Sequence, residues 1–254
     1  MALRKITLRE LRVTGARALR TDRYYPALSS RLLRDRYELR VEPKLDPNRA
    51  LLLNLSFWSP GDGADVIASR SIAADVVAHI AWHHVARQAL GAAGTTVDGM
   101  LLGESIASAF DVYLVGRLLV LDASCEFLRS QIPALSEVAA SAGLSAKKFQ
   151  ALLGALARDP EAAFADLRQL LFEVATQLLR ARGIDAANAV IESHRRDRFF
   201  SLLHHYNVSN WLLHSRAYGP KFSLQVDRRI AALDQAMRGA DSELRYLARQ
   251  WLEE

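Results

Sequence analysis

The stretch Ala78-His79-Ile80-Ala81-Trp82-His83-His84 carries two imidazoles four residues apart, and Glu104 follows in Gly103-Glu104-Ser105-Ile106-Ala107-Ser108-Ala109-Phe110-Asp111. On a helix, residues at this spacing share a face, with Cβ atoms about 5–6 Å apart. His79 and His83 can therefore offer two nitrogens to one ion, and Glu104 can add an oxygen from a second helix. Three protein ligands with an open position is the coordination a catalytic zinc needs. The residue after the first histidine, where an H-E-x-x-H helix carries its general base, is Ile80. An alkyl side chain cannot take a proton from water, so simple hydrolysis is not expected.

One turn before His79 stands Asp75, which puts Asp75, His79 and His83 on one stripe. Glu104, Ser108 and Asp111 form a second polar stripe on an otherwise apolar helix. Polar groups inside apolar helices are costly unless they satisfy one another or an ion. Asp75, Ser108 and Asp111 suit an outer role, accepting the imidazole N–H that faces away from the ion and so fixing the tautomer. His84 lies one turn beyond Ile80 on the same face and is the nearest substitute for the missing base. His194, His204, His205 and His214 cluster later in the chain without carboxylates at ligand spacing, and read as structural or as the rim of a pocket.

The elements that must position these groups are mostly helical. Residues 4–20 and 26–36 are rich in Arg and Leu at helical spacing, while Tyr37-Glu38-Leu39-Arg40-Val41 alternates like a half-buried strand. Leu51 to Trp58 reads as a second strand, closed by the turn Ser59-Pro60-Gly61-Asp62-Gly63. Helices are expected over 71–90, over 98–130 as one helix or a pair, and, after an interruption at Pro133, over 135–142, 145–157, 161–182 and most of 186–252. The fold class is α+β and predominantly helical. A small N-terminal sheet packs on the helical core that holds the site, within a domain spanning 1–157, and a helical C-terminal region, 158–254, packs on that domain. Within 135–153, Ala139, Gly143 and Ser145 fall where a helix-turn-helix has its helix crossing, turn and cap, with Val138, Leu144, Phe149 and Leu152 inside. Ala146, Lys147, Lys148 and Gln150 would then face outward.

This order of features resembles the ImmA/IrrE-like metallopeptidases, a branch of the Glu-zincins. That family has a strand region, an A-H-E-L-x-H helix, an E-x-x-A-N-x-F-A-x-x-L-L-M-P helix and an L-A-x-x-F-x-V-S segment. Ala78, His79 and His83 match the first helix without its Glu. Glu104, Ala107, Phe110 and Leu114 match the second, with Ser108 in place of Asn and Val115-Gly116 in place of Leu-Met, and 139–145 matches the third. The likeness covers residues 37–157. It implies a zincin-like fold with zinc on His79, His83 and Glu104, and Ile80 removes the implied base.

With 254 residues, half of them apolar, the chain can build a full core. A net charge of +5 allows contact with acidic surfaces without demanding it. The lone Cys125 rules out an internal disulfide framework and suits a reducing cytosol, and Met1-Ala2-Leu3-Arg4-Lys5 does not open a signal peptide, so a cytoplasmic location is expected. The apolar run from Met100 to Leu121 contains Glu104, Asp111 and Arg117, so no membrane span is expected. Three readings follow. One is a zincin-like metal-binding module that is not an efficient peptidase, with a peptide or protein partner. Another is a non-haem iron oxidase or oxygenase on the same His/His/Glu set. The third is a DNA-binding regulator built on 135–153.

Overall fold

A computed structural model of the chain describes residues 3–41, 46–56, 65–218 and 226–253, and their side chains except at 51–53, 55, 56, 214 and 216–218. The α+β, predominantly helical class is what is found. Strand β1 (Arg4–Thr7) runs antiparallel to β3 (Glu38–Val41), with Arg4 opposite Val41 and Thr7 opposite Glu38. On its other side β3 pairs in parallel with β4 (Val66–Ile67). A separate parallel pair joins β2 (Arg12–Thr14) to β5 (Ser71–Ala73).

The segment expected as a helix over 4–20 is thus two short strands, a 3-10 turn and the single-turn helix α1 (Ala16–Leu19). Its Leu and Ile residues are spaced for a helix, but the backbone instead finds partners far along the chain in β3 and β5. Helix α2 (Tyr25–Arg34) starts where the Asp22 carboxylate accepts the amide protons of Tyr24 (2.8 Å) and Tyr25 (3.0 Å). Tyr25, Leu28 and Leu32 make its buried face.

The second expected strand is also corrected. Residues 47–56 form helix α3 (Pro47–Ser56), with Pro47 in its first turn and the Asp46 carboxylate capping Asn48 N at 2.7 Å. A run of Leu has strong helix propensity, and those two signals at its start decide the outcome. From α3 the Asn54 amide bonds both the N–H (2.6 Å) and C=O (2.9 Å) of Val66, which attaches the helix to β4. Residues 57–63, including the expected turn, lie outside the described residues.

Strand β5 runs straight into helix α4 (Ala74–Leu90), and a 3-10 turn over 91–95 leads to helix α5 (Val97–Leu121). The turn is tight. A Cβ on Gly99 would sit 2.1 Å from the carbonyl oxygen of Ala93, so only glycine fits. Helix α5 is buried on nearly every side, which explains a sequence apolar all round.

Helix α6 (Glu126–Ser141) passes through Pro133 without stopping. The proline deprives only the carbonyl of Arg129 of its helical partner, and both residues are exposed, so water can replace the bond. The chain then turns at Gly143 (φ +82), where Leu144 N bonds Ala139 O at 2.9 Å, and Ser145 caps helix α7 (Ala146–Arg158). The expected corner is formed, with Ala139, Phe149 and Leu152 buried and Val138 and Leu144 half-buried. Lys147 and Lys148 are exposed. Replacing both with Glu is expected to shift unfolding free energy by no more than about 0.5 kcal/mol. It should leave metal content unchanged. Salt-dependent duplex binding by the native protein that this variant loses would instead make the corner a DNA reader.

Helix α8 (Pro160–Arg180) packs along α5. At the crossing a Cβ on Gly116 would lie 2.4 Å from the carbonyl oxygen of Leu156 and 3.2 Å from Pro160 Cβ. Backbone cannot yield as a side chain does, so Gly116→Ala is expected to cost about 1–3 kcal/mol in urea unfolding.

The stretch expected as helix over most of 186–252 is four helices: α9 (Ile184–Ser193), α10 (Val208–Tyr218), α11 (Arg228–Arg238) and α12 (Glu243–Trp251). Between α9 and α10 lies a 3-10 segment, Phe200–Tyr206. One hydrophobic cluster runs from Ile6 through α4, α5 and α8 to Ala248. Among the described residues no helix is long and apolar enough to cross a membrane.

Candidate metal centre

The two helices of the site pack antiparallel, because His79 meets Asp111 while His83, further along α4, meets the earlier Glu104 of α5. The tight 91–95 turn sets this register. The burial pattern follows the sequence: Ala78, Ala81, Trp82 and Val85 go into the core, while Asp75, His79 and His83 make a half-buried stripe. Facing them on α5 are Glu104 and Asp111, also half-buried, with Ser108 buried between them.

One ligand atom from each of His79, His83 and Glu104 lies within 4.8 Å of the others. Nε2 of His83 is 3.2 Å from Nε2 of His79 and 3.6 Å from Oε1 of Glu104. Ligands of a tetrahedral zinc with bonds of about 2.0–2.2 Å stand roughly 3.3–3.5 Å apart, so His83 is near ligand spacing from both partners, and the three residues are close enough together to hold an ion. The other nitrogen of His79, Nδ1, is 3.1 Å from Oδ2 of Asp111. Of Asp75, Ser108 and Asp111, it is Asp111 that contacts His79, leaving Nε2 of that ring toward His83.

The electrostatics fit this arrangement. Burial opposes a charge on His79, but Asp111, through charge and hydrogen bond, and then Glu104 and Asp65 outweigh it and push the imidazole up to about 9. Burial and the neighbouring His79 charge hold His83 down to about 3. Without an ion these opposite directions leave the pair with a single positive charge, on His79 beside Asp111. Asp75 is not part of the triangle; burial and then Asp111 raise its carboxyl above the ordinary range.

His84 does not face the site. Its Nε2 is 2.8 Å from Oδ2 of Asp35, and its ring lies edge-on against Tyr37 with centroids 5.0 Å apart. Burial would raise the Asp35 carboxyl, but hydrogen bonds from Arg31, His84 and Gln88 hold it down at about 2. His84 is thus engaged on the α2 side of α4 and is not placed to replace a base at Ile80.

Of the later histidines, His194 bonds Asp197 at 2.7 Å, His204 is exposed, and the side chain of His214 lies outside the described residues. His205 and Tyr206 come within electrostatic reach of Asp111. Burial pushes His205 down and Tyr206 far up, and Asp111 favours the protonated form of both. On the α2 side of α4, Asp65 accepts the Tyr37 hydroxyl proton at 2.8 Å, a contact that the spacing of residues did not announce. Asp65 belongs to no periodic stripe, and Tyr37 stood in the alternating pattern of a strand.

Compared with known protein families, curated protein sequences and solved structures, the chain matches none.

Proposed function

We propose that this chain is a zincin-like metal-binding protein in which His79, His83 and Glu104 hold one zinc ion, and that it is not an efficient peptidase. One observation supports the reading above all: ligand atoms from two helices lie within 4.8 Å of one another, with Asp111 on the far nitrogen of His79. A carboxylate in that position fixes the tautomer and raises ligand basicity, and metal-binding histidines almost always have such a partner. Two histidines and one carboxylate with an open position are the donor set of a catalytic zinc; the same set also takes iron, which makes the metal content the deciding measurement.

Ile80 is 5% exposed and packs into the core, so α4 brings no proton acceptor to water on the ion. Loss of a general base typically costs 10²–10⁴-fold in rate. The proposed role is accordingly metal-stabilised binding or regulation of a peptide or protein partner, or metal chemistry other than efficient proteolysis.

Elemental analysis of the purified protein, before and after loading with zinc, tests this directly. About one zinc per chain is expected, with negligible chelator-sensitive peptide hydrolysis. Ile80→Glu, which returns a carboxylate to the helix, is expected to produce measurable hydrolysis. Stoichiometric iron would favour the oxidase reading, and no metal after loading would overturn the site.

A further inference from the structure

The positive charge of the chain is concentrated in one short segment. Residues 4–20 hold six cations, Arg4, Lys5, Arg9, Arg12, Arg17 and Arg20, against the single acid Glu10, a net of +5 that equals the charge of the whole protein. The rest of the chain is balanced. Folding adds a further cation to this segment, because β2 pairs with β5 and the N–H of Arg12 donates to the carbonyl oxygen of Arg70 at 3.0 Å. Arg70 comes from a stretch, 66–73, that contains no acid. Arg9 stands in the 3-10 turn Leu8–Glu10 just before β2, while Arg17 lies in α1 and Arg20 at its end, just after β2. Arg9, Arg12, Arg17, Arg20 and Arg70 are all exposed. Among the described residues none of these five contacts a carboxylate. The nearby acids are already engaged: Glu10 accepts the amide and hydroxyl protons of Thr7 and lies 3.7 Å from Arg4, and Glu38 pairs with Lys5 at 2.6 Å.

We propose that this surface, β2 and β5 with the turn before them and α1 after, binds the phosphate backbone of a double-stranded nucleic acid without reading its sequence. A field of one sign on a small area attracts a polyanion and concentrates it there. The five unpaired cations are all arginine, whose planar fork matches two phosphate oxygens at once, as the point charge of a lysine does not. Residues 4–20 include no aromatic side chain on which an unpaired base could stack, and this favours a duplex over a single strand. The exposed large apolar side chains, Val76, Val120, Leu121, Ile184 and Leu213, all lie outside 4–20 and 66–73, so the surface has nothing to insert among lipid chains. Neither the histidines nor an ion takes part, so the inference goes beyond the metal reading and stands without it.

The experiment is fluorescence anisotropy of a labelled DNA duplex of about 20 base pairs with the full-length protein, between about 50 and 200 mM NaCl. Native protein is expected to bind with a Kd of about 1 μM or below at the lowest salt, and log K should fall by about 3–4 per tenfold rise in salt. Each phosphate contact contributes about 0.9 to that slope, so the triple variant Arg9→Ala, Arg12→Ala, Arg70→Ala should lose about 2–3 of it and bind at least about 30-fold more weakly. Arg17→Ala with Arg20→Ala should lose up to about 2. His83→Ala, and Lys147→Glu with Lys148→Glu, should bind as the native protein does. Absence of duplex binding by native protein at the lowest salt overturns the proposal, and so does a folded triple variant that binds like the native protein. Loss of binding in the Lys147→Glu, Lys148→Glu variant would move the interface to the corner at 135–153 and also overturn it. Binding to phosphatidylserine vesicles but not to the duplex would make the surface a membrane contact instead. If the triple variant does not fold, unchanged affinity and slope in Arg17→Ala with Arg20→Ala overturn the proposal.

Discussion

His83→Ala is expected to reduce the zinc retained after dialysis from about one ion per chain to background. Glu104 and His79 alone leave a two-ligand site, and removing even an outer-sphere partner of a ligand typically costs 10–100-fold in affinity, so the loss for a ligand itself should exceed that. The pH dependence of wild-type binding provides a second, sharper reading. His79 is pushed up to about 9 and His83 down to about 3, so between those values an ion must displace one proton, and that proton comes from His79. Affinity should therefore rise about tenfold per pH unit from pH 5.5 to 6.5 and flatten above about 9. Below pH 7 the ionisation of zinc-bound water, near 7, does not contribute. Calorimetry in buffers of different ionisation enthalpy should find close to one proton released per zinc in that window. Asp111→Asn removes the main source of the raised His79 value, so its affinity should depend less steeply on pH while being weaker overall. Equal zinc content in wild type and His83→Ala would remove the site.

The chemistry of this site was far more legible in the sequence than the sheet that flanks it, and the reason is range. His79, His83 and Asp75 are related by one helical period, and Glu104, Ser108 and Asp111 by another, so their sharing of faces follows from local geometry alone. Which of Asp75 and Asp111 would reach His79 was not legible, because that depends on the antiparallel register set by the turn over 91–95. The strands at 4–7 and 12–14 were hidden for the same reason. Their hydrogen-bond partners lie at 38–41 and 71–73, and an Arg- and Leu-rich segment has no local feature that announces a distant partner. At 47–56 local signals were present, a proline in the first turn and Asp46 as cap, and these outweigh the strand-like run of apolar residues that follows. His84 shows the converse limit. Its spacing from Ile80 suggested a role at the site, but Asp35 and Tyr37 hold it on another face of α4. Asp65 had no sequence signal, since only the fold brings its carboxylate to the Tyr37 hydroxyl.

The largest stability effect should come from a residue far from the metal centre. Arg168 of α8 is fully buried, with Nε and Nη2 on the Glu243 carboxylate of α12 and Nη1 on Asp234 of α11. Glu243 is 3% exposed and also accepts from Gln169 at 2.6 Å, while Asp234 accepts from Arg238 at 2.9 Å. One guanidinium thus joins two C-terminal helices to the helix that packs along α5. Burying these charges carries a desolvation cost that their attraction only roughly repays, so the network is not a large source of net stability. Removing one partner is a different matter, because it strands a buried carboxylate. Arg168→Ala is accordingly expected to lower the unfolding free energy by about 3–5 kcal/mol. A triple variant, Arg168→Met with Asp234→Leu and Glu243→Leu, should recover most of that loss, since no buried charge is left unpaired. Urea unfolding of the two variants beside wild type measures both effects. A cost below about 1 kcal/mol for Arg168→Ala would mean that water reaches Glu243 as soon as the guanidinium is gone, and that α11 and α12 are held by their apolar faces, Ile230, Met237, Leu244 and Leu247, without help from the ionic network.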